Sequence, residues 1–243
     1  MKGILKTAEH LLFPPRCAVC TEVLPVKEWD ALLCGTCREK TPFVPADRCM
    51  GCGMETKRAG LCADCIRRFP FSDCMAAFPY GEVRSAIRLF KYEGVKSFGG
   101  RLGSLMGDFL LLNRPEWAER ADGILPIPLH PKKLKRRGFN QAELLACAIS
   151  EKTGIPLFSD LLERKEDTVP QSTLSVEERK KNLKDGFRLT GEVAGKTILL
   201  VDDIFTTGTT CGECARTLLR GGAKEVFVYC LSSAGHAEDG AVL

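Results

Sequence analysis

A chain of 243 residues is long enough to bury a core of its own and leaves room for a small module beside one domain of ordinary size. Its composition, 44% hydrophobic and 27% charged, is globular and excludes a disordered or fibrous protein. A net charge of +4 is too mild to argue for nucleic-acid binding unless the cations cluster locally.

The amino terminus, MKGILKTAEHLLFPPRC, carries Glu9, His10 and the Pro14-Pro15 pair where a signal peptide needs an unbroken apolar core. No apolar run approaches the ~20 residues of a membrane-spanning helix. A cytoplasmic protein without a transmembrane segment is the expectation.

Thirteen cysteines follow an unusual distribution: eight form Cys-x-x-Cys pairs at Cys17/Cys20, Cys34/Cys37, Cys49/Cys52 and Cys62/Cys65. Few long apolar stretches lie between them, so this segment cannot fold on buried surface alone. Two Cys-x-x-Cys turns complete a tetrahedral sulfur cage, and four such turns fit two structural Zn²⁺ ions, with an iron–sulfur site as the competing use. Pairing first with second and third with fourth closes the shorter loops. With cysteine in all four positions of each cage, no open coordination site remains for catalysis.

Around Phe69 to Pro79 the pattern changes, and we expect the chain to divide into 1–75 and 76–243. Val83, Ala86, Ile87 and Phe90 in EVRSAIRLFKYEG recur at helical spacing, with Arg84, Arg88 and Lys91 on the opposite side, where a solvated face is as good a reading as a functional one. A second helix carries Leu102, Leu105, Met106, Phe109 and Leu110. DGILPIPLH reads as a short strand, and Lys132, Lys133, Lys135, Arg136 and Arg137 crowd a loop just after it. NQAELLACAISEKTG is helical and ends at Gly154. The stretch from Arg164 to Gly186 is long and polar, in the manner of a lid, with Gln171, Arg179, Lys180 and Asn182 as candidates for closing it. KTILLVDD is a continuous apolar strand, TCGECARTLLRGG a helix closed by Gly221, and EVFVYCLS another buried strand. Strand–helix repeats of this kind specify an α/β fold with a mostly parallel sheet. Cys74, Cys147, Cys211, Cys214 and Cys230 read as small core hydrophobes.

Between the apolar strand and its helix lies DDIFTTGTT. A strand-to-helix loop at the carboxyl edge of a parallel sheet is where such folds bind ligands. Its backbone amides, the positive end of the following helix and the hydroxyls of Thr206, Thr207, Thr209 and Thr210 form a phosphate cradle, with Gly208 allowing close approach. Asp202 and Asp203 would repel that phosphate; they suit vicinal hydroxyls or Mg²⁺.

ILLVDDIFTTGTT resembles the phosphoribosyl pyrophosphate (PRPP) motif of type I phosphoribosyltransferases. The resemblance implies a ribose diol on Asp202 and Asp203 and a 5′-phosphate on Thr206, Thr207, Gly208, Thr209 and Thr210. LFPPRCAVC, FKYEG, PIPLHPKKLKRRGFNQA and VPQSTLSVEERKKNLKDGFRL resemble the ComF family of competence-associated proteins. That resemblance implies an amino-terminal double zinc ribbon on a type I phosphoribosyltransferase-like domain, PRPP with Mg²⁺ as ligands, and Arg136 and Arg137 at the pyrophosphate. It also implies a setting in DNA uptake, with single-stranded DNA and other competence proteins as partners; a non-catalytic or nucleic-acid-binding factor that retains the sugar-phosphate site is the alternative to an enzyme. Where purine-handling relatives begin the phosphate loop with an acid, Thr206 stands here, and the residues name no acceptor.

Overall fold

The structure, a computed structural model, describes residues 14–29, 31–40, 49–50, 60–92, 97–165 and 186–233. Its frame is a parallel sheet of β1 (Asp73–Pro79), β2 (Gly123–Pro126), β5 (Thr197–Phe205) and β6 (Glu225–Ser233) in the order β1-β6-β5-β2. Leu157 continues the sheet beyond β2 through a parallel bridge to Ile124. A two-stranded antiparallel hairpin, β3 (Leu162–Arg164) with β4 (Phe187–Leu189), stands apart from it. The helices are α1 (Gly35–Lys40), α2 (Ala63–Ile66), α3 (Tyr80–Tyr92), α4 (Ser97–Asn113), α5 (Pro115–Arg120), α6 (Pro131–Arg137), α7 (Gln141–Thr153) and α8 (Thr209–Arg220).

Alternation along the central strands sorts the core into two layers. Leu199, Val201, Phe227 and Tyr229 face α3, α4 and α7, meeting Val83, Phe90, Leu102, Met106, Leu145 and Ile149. Ile198, Leu200, Val226 and Val228 face α8, meeting Cys211, Cys214, Ala215 and Leu218. Each such side chain removed from water contributes about 1.5–3 kcal/mol. Covered on both sides, β5 and β6 need continuous apolar runs, as their sequences have.

The amino-terminal segment is docked on this frame. Cys17, Ala18, Val19 and Leu24 share a core cluster with Phe98 and Leu102 of α4. The Arg101 guanidinium donates to the carbonyls of Ala31 and Leu32. Arg114 pairs with buried Asp73 at 2.7 Å, and Asp73 Oδ1 also accepts from the Leu61 amide at 3.0 Å, tying the cysteine-rich segment to the first strand.

Two expectations change, and one strand appears that the sequence does not announce. The lysine-arginine run after β2 is a helix, α6, and not a loop: Pro131 fits its first turn, the His130 ring accepts from the Lys132 amide, and left-handed Gly138 ends it. DCMAAFP, which has no alternation to mark it, forms edge strand β1 from Asp73 onward. Cys147 is not core; it is half-buried on α7, its thiol 3.7 Å from Glu151 Oε1.

Candidate functional site

The carboxyl ends of β2 and β5 open toward the start of α8, and the acids sit where β5 leaves the core. Residues Thr197 to Val201 are buried; Asp202, Asp203 and Ile204 are half-buried. Strand alternation separates the two carboxylates. Asp202 is turned to the α8 side, among Cys211, Cys214 and Cys230, whose thiols it pushes up along with their burial. Asp203 is turned to the α3 side, where its Oδ2 lies 2.6 Å from Lys91 Nζ, the two side chains 15% and 16% exposed. Helix α3 packs on β1 and β6, and its last turn brings Lys91 to the end of β5.

Burial and the Asp203 charge raise the Asp202 carboxyl from 3.8 to about 8, against smaller opposing contributions from the Asp203 amide, Lys91 and Arg164. The Asp203 amide donates to Asp202 Oδ1 at 2.8 Å, fixing that carboxyl's orientation.

Gly208 is the N-cap of α8, in the left-handed region at φ 71°, and no side chain caps the helix. The first-turn amides beginning at Thr209 are therefore left for a ligand. Thr206, Thr207 and Thr209 are exposed, Thr210 half-buried, and the hydroxyls of Thr207 and Thr209 lie 2.8 Å apart. From behind, the loop rests on aromatic rings: a Cβ on Gly208 would come within 2.6 Å of Phe69 and 2.8 Å of Phe205. Phe69 stacks on Phe71 at 4.9 Å and meets Phe205 edge-on at 5.9 Å. The segment that follows the cysteine pairs thus forms the back wall of the 206–210 loop.

Cations gather around Lys133 of α6. Part burial lowers the Lys133 ammonium, and Arg164, Arg137, Lys91 and Arg136 lower it further by repulsion. Arg136 is exposed on α6; Arg137 is half-buried and donates to Gln141 Oε1 at 2.9 Å. Arg164, on β3, lies over the Phe187 ring with its Cζ 5.4 Å from the centroid. The sequence singles out Lys133, Arg136 and Arg137 and leaves Lys91 evenly between a solvated face and a functional one; Arg164 carries no signal of its own there. Gln171, Arg179, Lys180 and Asn182 lie outside the described residues.

Cys17, Cys20, Cys34 and Cys37 bring their sulfurs within 4.8 Å of one another, and so do Cys49, Cys62 and Cys65. Cys52 lies outside the described residues. Amides of Cys34 and Cys37 donate to Cys17 and Cys34 Sγ at 3.4 Å, and that of Cys62 to Cys49 Sγ at 3.2 Å. Donation of this kind supports thiolate ligands, and the grouping joins the first pair with the second, and Cys49 of the third pair with the fourth. Soft sulfur donors at these separations fit Zn²⁺. At the cleft, the two carboxylates are hard oxygen donors of the kind that hold Mg²⁺ together with a ligand's phosphates.

A family profile described as a double zinc ribbon domain matches residues 8–66, and one described as a phosphoribosyl transferase domain matches residues 134–240. The protein is therefore of the class that joins a double zinc ribbon to a parallel sheet of the type I phosphoribosyltransferase kind. Across 225 residues it is 32% identical to the DNA utilization protein YhgH of Escherichia coli strain K12, covering 91% of this chain and 98% of that one. It is 31% identical to competence protein F of Haemophilus influenzae over 211 residues, 83% of this chain and 90% of that one. The chain belongs to the ComF family of competence-related proteins. Among solved structures, the glutamine PRPP amidotransferase of B. subtilis overlaps 57% of this chain and 27% of its own, at 25% identity and a TM-score of 0.40.

Proposed function

We propose that the protein binds PRPP with Mg²⁺ and transfers its phosphoribosyl group to an acceptor, releasing pyrophosphate. The observation that carries this reading is the uncapped first turn of α8 beside an acid pair at the end of β5: one part suits a phosphate monoester, the other a diol. In this reading the amides and hydroxyls of Thr206 to Thr210 hold the 5′-phosphate. The carboxylates of Asp202 and Asp203 accept hydrogen bonds from the ribose 2′ and 3′ hydroxyls, fixing the ring so that C1 faces the acceptor. Asp202 holds its proton near neutral pH in the empty cleft, and loses it to solvent as a cation comes near, leaving the carboxylate that accepts from the diol. Arg136 and Arg137 stand on the pyrophosphate side. Mg²⁺, when bound, would offset charge developing on the departing pyrophosphate.

The two cysteine cages hold structural zinc in this proposal, within a module of about residues 1–75 ahead of a catalytic domain of 76–243. The relatives' names, DNA utilization and competence, support a place in the uptake or use of DNA. Crystals of the zinc-loaded protein soaked in PRPP and Mg²⁺ test the reading. It requires the 5′-phosphate on the amides of 207–210 and the diol on the acid pair; a ligand bound with its diol away from both acids refutes it.

A further inference from the structure

Resting on the PRPP reading, the FKYEG motif receives a role. We propose that Lys91 is a ligand-binding residue: it neutralises the acid pair in the empty cleft and, when the ribose diol takes the carboxylates, its ammonium turns to the pyrophosphate.

Three observations carry this. Lys91 Nζ is 2.6 Å from Asp203 Oδ2, and both side chains are mostly buried, so the pair occupies the place where the diol must bind. A lysine spent only on stabilising a fold has little reason to sit there, because a buried ion pair seldom improves on apolar packing of the same volume. Second, the same ammonium belongs to a cation cluster with Lys133, Arg136, Arg137 and Arg164, drawn from α3, α6 and β3. Cations brought together from three separate elements repel one another, and a polyanion is the ligand that relieves them. Third, Lys91 lies at the end of a helix whose apolar face, Val83, Ala86, Ile87 and Phe90, is fully buried, so its backbone is anchored while its long side chain can swing. The Asp203 carboxylate is one station for that side chain, and a pyrophosphate bound among the four other cations is the second.

The contact is to the pyrophosphate and not to the sugar, so two probes separate it from a structural role. Full-length zinc-loaded protein is titrated with PRPP and with ribose 5-phosphate, each with Mg²⁺, for wild type, Lys91→Met and Lys91→Arg. The inference requires Lys91→Met to weaken PRPP binding about tenfold or more, the size of one lost charge-assisted contact, while ribose 5-phosphate, which no longer has to displace the ammonium from Asp203, binds no more weakly than to wild type. Lys91→Arg, which keeps the charge and the fold's ion pair, recovers most of the PRPP affinity. Equal loss for both probes, or none for PRPP, overturns the inference while leaving the PRPP reading in place. A wild type that binds neither probe sinks that reading, and the role of Lys91 with it.

Discussion

Replacing Asp202 by Asn should make the protein more stable, and more so at high pH. In the folded chain this carboxyl keeps its proton to about pH 8, whereas in the unfolded chain it titrates near 3.8. Between those values the folded state binds more protons than the unfolded one, so stability falls as pH rises through the window, with the whole loss present above about pH 8 and almost none below about pH 4. At about 1.4 kcal/mol per pH unit the shift sets a ceiling of roughly 5–6 kcal/mol. Asp202 is partly accessible to water, which screens part of this, so about 1–3 kcal/mol is the expected gain for Asp202→Asn at pH 8.5. For a chain of 243 residues that is about 2–12 °C in Tm, and the Asn carbonyl preserves the hydrogen bond from the Asp203 amide. Melting curves of zinc-loaded wild type and variant, followed by circular dichroism at pH 5 and pH 8.5 without added Mg²⁺, check this; comparing the two proteins at each pH cancels the effect of acid on the cysteine cages. A variant no more stable than wild type at pH 8.5, or an advantage as large at pH 5, would refute the charge frustration assigned to the acid pair.

Gly208→Ala forces a side chain into the left-handed backbone and against Phe69 and Phe205; it should cost about 1–3 kcal/mol by thermal melting and abolish ligand binding to the loop. Asp73→Asn removes the buried carboxylate beside the Arg114 guanidinium, which keeps Glu116 as a partner, and a loss of about 1–3 kcal/mol is expected in denaturant titration, together with faster proteolysis of the cysteine-rich segment that Asp73 ties down. Metal analysis of the purified chain should give about two zinc ions per molecule; stripping them with a chelator should lower PRPP affinity as well as stability, because the back wall of the phosphate loop follows Cys65 by only a few residues, and unchanged affinity in the stripped protein would argue against that coupling.

Much of this architecture could be read from the chain because the determining signals are local. Cys-x-x-Cys spacing specifies a metal turn by itself, and the grouping of Cys17, Cys20, Cys34 and Cys37 follows from loop length. The apolar run into Asp202 and Asp203, followed by a glycine among threonines, contains strand, loop and helix start in one stretch. What escaped depends on contacts between distant segments. Lys91 is one of three polar residues on a helix face until α3 is laid across the sheet, and Arg164 gains meaning only from the Asp202 and Lys133 charges it faces. Phe69 reads as linker until Gly208 is placed on it. The α6 residues read as a loop because a run of cations after a proline has no apolar periodicity, although His130, Pro131 and Gly138 are sound start and stop signals.

The central claim is that one cleft holds a sugar phosphate by both ends, and calorimetric titration of the zinc-loaded protein with PRPP and Mg²⁺ tests it most directly. Saturable one-to-one binding that the double variant Asp202→Asn, Asp203→Asn loses is the predicted result. Binding of equal strength in both proteins would contradict it.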